Sequence, residues 1–201
     1  MLVKYKYMLS ELLKRKTIIL GSKSPRRKEL LEGLGITFET RTKNVEETFS
    51  SDIEQHAVAG FLAEKKASAF SNELTETDII ITSDTIVLCD GEILGKPKDK
   101  QDAFQMLTKL SGKSHQVITG VCLKSTKKTD IFSDVTTVWF KPLTSEEINY
   151  YIEKYKPFDK AGSYGIQEWI GYIGIEKIEG TYFNVMGLPV NLLYKKLHNF
   201  L

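Results

Sequence analysis

A run of β-branched and aliphatic residues, Thr17 to Leu20, passes without a linker through Gly21-Ser22-Lys23 into Ser24-Pro25-Arg26-Arg27. This junction constrains the fold more than any other segment. Ser24 is of the right type for a helix N-cap, and Pro25 takes the first helical position, where its missing N–H costs nothing. Leu30, Leu31 and Leu34 then form an apolar stripe, and Gly33 and Gly35 end it. A strand that turns directly into a capped helix is the opening of an α/β chain.

The same alternation continues. Ile36–Arg41 reads as a second strand. Ser51 with Glu54 has the capping-box spacing, and Ile53, Ala57, Phe61 and Leu62 follow at helical intervals, so a helix is expected from there to about Ser71. The apolar run before Asp84 is a buried strand that the acid terminates. Asp90-Gly91, between apolar stretches, predicts a tight hairpin. Ala103, Leu107 and Leu110 mark a helix stopped at Gly112. His115–Lys124 and Asp130–Phe140 alternate as two strands of a further hairpin. Thr144 and Glu147 form a second capping box, flanked by the Leu143/Ile148 staple, and that helix ends before Pro157.

Residues 157–190 are glycine-rich and aromatic and read as loops and short strands near a site. A last helix is expected over Pro189–His198. No repeat, low-complexity tract or linker interrupts the chain, so one domain is expected over 1–201, with 1–16 as an N-terminal extension carrying a short basic helix from residue 8. The hairpins make its sheet mixed.

Charge excludes some functions. The net charge is +2, from 28 basic and 26 acidic residues, too balanced for a protein held to nucleic acid by its overall field. No apolar run reaches the length of a membrane span, and the lysine-interrupted N-terminus is not a signal peptide, so a cytoplasmic location is expected. Cys89 and Cys122 lie apart in apolar strands, and the histidines lack ligand spacing, so zinc is not expected. A metal here would be oxygen-ligated, magnesium or manganese.

Several residues admit two readings. Asp84 is either an acid capping the turn after its strand or a carboxylate serving a site. Ser22, Arg26 and Arg27 are either parts of a capped surface helix or, with the helix N-terminus, a phosphate cradle. Lys66 is either a solvated mid-helix lysine or a ligand contact. Lys96, stiffened by Pro97, is expected to reach Asp84 by way of the hairpin. Glu46 and Glu47 are solubilising loop acids unless they converge with Asp84. Gln167, in a glycine loop, either satisfies nearby backbone or reads a base edge.

Taken in order, Leu20-Gly-Ser-Lys-Ser-Pro-Arg-Arg27, Ser83-Asp-Thr85, Leu94-Gly-Lys-Pro97, Leu110-Ser-Gly-Lys-Ser-His115, Thr119-Gly-Val121, Ala161-Gly-Ser-Tyr-Gly-Ile-Gln167 and Asn184-Val-Met-Gly-Leu-Pro189 resemble the Maf family of nucleoside triphosphate pyrophosphatases. The resemblance covers nearly the whole chain. It implies an elongated mixed α/β domain with two lobes around a cleft, similar to the inosine triphosphate pyrophosphatases. It also implies hydrolysis of a nucleoside triphosphate to the monophosphate and pyrophosphate with a divalent cation, Mg2+ or Mn2+, and a homodimer.

By the same resemblance Asp84 is the catalytic base, and Glu47 is its companion acid at the metal. Ser22, Arg26, Arg27, Lys66 and Lys96 line the phosphates. Arg26, Thr85 and Gln167 match the members acting on dTTP and UTP. Members acting on 7-methylguanosine triphosphate, and a nucleotide-sensing role in septum formation, are the alternatives the family offers. The chain departs from the common pattern at Gly21, usually Ala, at Thr181, usually Ser, and at Glu168-Trp169, where many members have Gly.

Overall fold

Strand β1 (Thr17–Leu20) lies between β2 (Glu39–Thr40) and β3 (Asp78–Cys89), parallel to both, with Ile18 opposite Ile79 and Ile19 opposite Ile80. In the computed structural model, which describes residues 8–201, these strands open a sheet ordered β2-β1-β3-β5-β6-β7. Here β5 is Ser114–Lys124, β6 is Thr129–Phe140 and β7 is Ile175–Glu179. Strand β4 (Glu92–Leu94) folds back antiparallel on β3. The fold is therefore α/β with a mixed sheet flanked by helices, as expected. The sequence expectations for residues 1–7 lie outside the described residues.

The chain divides into two compact units. One holds the residues up to Asp84 with Gly120–Asp134 and Gly187–Leu201, and the other holds Thr85–Thr119 with Val135–Met186. In the first, helices α1 (Leu9–Leu12) and α8 (Val190–Phe200) pack together. Ala63 and Ala67 of α3 (Val58–Ser68) meet Ile19, Ile80 and Cys122 in a core that excludes water. α2 (Pro25–Glu32) starts as its sequence requires, with Ser24 Oγ accepting from the Arg27 N–H and Pro25 at the first position.

In the second unit α4 (Lys100–Leu110) packs on α5 (Ser145–Tyr155) around Leu107, Leu110, Ile148 and Ile152. Both halves of the Thr144/Glu147 capping box form. The Asp90-Gly91 hairpin forms as expected, with positive φ of 51° and 75°. Short helices α6 (Trp169–Gly174) and α7 (Tyr182–Met186) occupy part of the segment expected to hold only loops and strands.

Three expectations need correction. The second strand shrinks to Glu39–Thr40, both exposed. Ser51 and Glu54 cap nothing: Ser50 Oγ instead bonds Asp52, and α3 begins only at Val58 without a side-chain cap. The local spacing was right for a box, but Ser50 and Asp52 close a tighter turn upstream. Most important, β3 does not stop before Asp84. Its hydrogen-bonding ladder runs on to Cys89, so the acid sits buried in mid-strand.

His115, on β5, illustrates the dryness of the second core. Its Nε2 pairs with the Tyr164 hydroxyl at 2.8 Å, and Phe140 meets the ring edge-on. Burial pulls its pKa from 6.5 down to about 4. A depressed histidine keeps the folded state unprotonated where the unfolded chain binds a proton. The stability it withholds therefore grows as pH falls from 6.5 towards 4. Urea unfolding of the wild type should lose about 3 kcal/mol across that window from this group alone. A His115→Gln variant, which does not titrate there, should show a flatter profile.

Candidate active site

The first unit gathers its charged groups around Asp84. Thr82, one pleat earlier on the same strand, donates its hydroxyl to the Ala63 carbonyl at 2.6 Å and so fastens α3 to the sheet. Gly120 of β5 lets that helix come close, since a Cβ there would stand 2.2 Å from the Ala59 carbonyl carbon. One turn beyond Ala63, Lys66 reaches down and ion-pairs with Asp84 Oδ1. Its side chain is only 17% exposed. The solvated reading of Lys66 is thereby corrected: two alanines and a glycine bring its backbone near enough for the ammonium to reach the strand.

Lys66 also pairs with Glu47 Oε1 at 2.8 Å. Glu47 lies on a loop without secondary structure, yet that loop is tied down. Lys65 Nζ donates to the carbonyl and the hydroxyl of Thr48 at 3.0 and 3.1 Å. Lys23 Nζ donates to Asn44 Oδ1 at 2.6 Å, which joins the loop to the turn containing Ser22. Neither Lys65, Lys23 nor Asn44 was singled out from the sequence; alternation of the paired residues between helix and loop leaves no local pattern. Glu46 is exposed and takes no part in the cluster.

Arg27 is neither a solvated cation nor simply a phosphate clamp. Its Nε donates to the Gly187 carbonyl at 2.8 Å and its Nη1 to the Ser83 carbonyl at 2.7 Å. Ser83 Oγ donates to the same Gly187 oxygen at 3.2 Å. One guanidinium thus fixes the peptide that precedes Asp84. Burial lowers the Arg27 pKa, while the Asp84 charge works in the opposite direction. Ser22, half-buried, accepts the Ser24 N–H on its hydroxyl at 3.2 Å, and Arg26 is half-buried at the start of α2. Gly21 accounts for one departure from the common pattern: a Cβ there would meet Thr82 Cγ2 at 2.7 Å, the methyl of the residue that holds α3.

Thr85, Lys96 and Gln167 belong to the second unit. Lys96 is exposed on the turn after β4, and the Gly95 carbonyl beside it accepts from the Gly162 N–H at 3.1 Å, which links this turn to the Gln167 loop. Gln167 is half-buried, and its Oε1 is enclosed without a hydrogen-bond partner. Its neighbour Glu168 braces that loop: it accepts from the Tyr151 hydroxyl and pairs with Lys160 at 3.0 Å. Burial first, then Glu168, pushes the Tyr151 pKa up, so the phenol stays a donor. Thr85 shares a 3.0 Å hydroxyl contact with Thr119.

Among the described residues no group of three or more His, Cys, Asp or Glu side chains converges to hold a metal. What the first unit offers is two carboxylates, Glu47 and Asp84, on one ammonium. Nor, among those residues, is any helix long and apolar enough to cross a membrane.

Residues 17–200 match the family described as Maf-like protein. A protein of Phocaeicola vulgatus named dTTP/UTP pyrophosphatase is 56% identical over 94% of this chain and 98% of its own length. One of Porphyromonas gingivalis with the same name is 50% identical over 94% of this chain and 96% of its own. Among solved structures, the Staphylococcus aureus Ham1 protein superposes with a TM-score of 0.52 over 92% of this chain and 100% of its own, at 16% identity, a likeness of fold.

Arg27→Met removes both charge-assisted bonds and leaves the Ser83 carbonyl, on a fully buried residue, without this donor. Urea unfolding without any substrate should show a loss of about 3 kcal/mol. A side chain serving only to contact phosphate would leave that stability unchanged.

Proposed function

The chain belongs to the Maf family, and we propose that it hydrolyses dTTP and UTP to the nucleoside monophosphate and pyrophosphate. One observation carries the reading: a buried mid-strand Asp84 held by a single lysine that it shares with Glu47. A charge pair in a buried strand is weak evidence of stability, because desolvation offsets most of its attraction. Its value lies in what replaces it when a polyanion arrives.

Triphosphate oxygens compete for the Lys66 ammonium. As the lysine turns to phosphate, Asp84 is left a carboxylate with an open acceptor, able to take the proton of an attacking water. The water oxygen bonds to the α-phosphorus, the bond from that phosphorus to the bridging oxygen breaks, and pyrophosphate leaves. Ser22, Arg26 and Lys96 join Lys66 on the phosphates. Arg27, already committed to two carbonyls, keeps the Asp84 peptide in place while charge develops.

Glu47 and Asp84 suit magnesium or manganese, which takes one or two protein carboxylates and completes its shell with phosphate oxygens and water. Bound there, such an ion would neutralise phosphate charge and orient the water. Arg26, Thr85 and Gln167 read the base. The names borne by relatives at 50 to 56% identity support dTTP and UTP as substrates.

Asp84→Asn keeps the shape but not the charge or basicity. The variant should fold, with turnover of dTTP lower by about a hundredfold or more. Wild-type enzyme should release pyrophosphate, and not orthophosphate, as first product. Near-normal turnover in a folded Asp84→Asn protein would remove Asp84 from the chemistry.

A further inference from the structure

A chain of buried hydroxyls and one amide leads away from Thr85, and its protons have a single consistent order. Asn184, fully buried, spends both amide hydrogens, on the Val117 carbonyl at 3.0 Å and on Thr136 Oγ1 at 2.9 Å. Thr136 also accepts the Thr181 N–H at 3.0 Å, and gives its own proton to the Thr181 carbonyl at 3.2 Å. Thr119, fully buried, donates to the backbone carbonyl of Asn184 at 2.9 Å. A carbonyl only accepts, and a hydroxyl has one proton. Thr119 can therefore only accept in its 3.0 Å contact with Thr85. The Thr85 proton is directed inward, and the Thr85 oxygen meets any other partner through its lone pairs, as an acceptor.

We propose that Thr119, through this proton order, holds Thr85 as a hydrogen-bond acceptor and thereby makes the site select a base with a ring N–H over one with a bare ring nitrogen. The inference rests on the reading above that Thr85 meets the base. Gln167 alone cannot make that choice. Its amide presents a donor and an acceptor, and a half-turn exchanges them, so it can serve uracil and cytosine equally. Thr85 breaks the tie. Thymine and uracil offer an N–H at ring position 3, which a fixed acceptor welcomes. Cytosine offers a lone pair at that atom, which the same acceptor repels and leaves unpaired. Thr119 is thus a positioning residue that touches no substrate.

The test compares kcat/KM for UTP and CTP in the full-length enzyme and three variants. Thr119→Val removes the inner acceptor, so the Thr85 proton is free to turn outward. The UTP:CTP ratio should fall roughly tenfold, chiefly through KM, the effect of about one hydrogen bond. Thr119→Ser keeps both bonds and should keep the wild-type ratio; a merely structural role for Thr119 would lower both substrates together. If Thr119→Val does not fold, Thr119→Ala takes its place with the same expectation.

A wild-type ratio in the valine or alanine variant, with the ratio lost in Thr85→Val, overturns the relay and leaves the base reading standing. A ratio unchanged in Thr85→Val overturns the base reading, and the relay with it. Loss of the ratio in Thr119→Ser also overturns the relay.

Discussion

One ammonium group between two carboxylates organises the first unit. Lys66 can hold Asp84 only because α3 lies close to β3, and α3 lies close only because Ala63, Ala67 and Gly120 present almost nothing where the surfaces meet. Thr82 then sets the helix along the strand. Small residues on one face of a helix are usually read as a packing convenience. Here they set the length over which a lysine must reach, and a bulkier side chain would part the charges by the width of a methyl group or more.

Much of this was legible in the sequence. Ser24-Pro25 announced α2, Asp90-Gly91 announced its hairpin, and Thr144 with Glu147 announced α5, because each rests on chemistry within a few residues. The same locality misled at Ser51 and Glu54, where two neighbours outcompeted the proposed cap. Asp84 stood out as an acid in an apolar run, but its place in the middle of β3 was hidden, since a ladder partner is not written beside a strand. Lys66 was hidden for a related reason: eighteen residues separate it from Asp84, and only the packed helix joins them. Arg27 was noticed for its charge and turned out to be committed through geometry, to carbonyls that no sequence pattern marks.

The two units divide polar chemistry in different styles. The first uses full charges, whose positions tolerate some play because Coulomb attraction falls off slowly. The second adds to ion pairs such as Lys160–Glu168 a set of neutral hydroxyls and amides around Thr85, whose direction matters more than their distance. A chain of such groups, when satisfied, fixes which way each proton points. That property belongs to no single residue, and a substitution several bonds away can invert it.

The Arg27–Gly187 bond spans 160 residues of chain, and the unit it serves is assembled from three segments, of which Gly187–Leu201 is the furthest along the sequence. Synthesis delivers residues in order and domains tend to fold as they emerge. The grip of Arg27 is consequently completed late: every residue of the second unit has been made before Gly187 exists. Until Gly187 has been made, Arg27 lacks one half of the carbonyl pair that it grips beside Asp84.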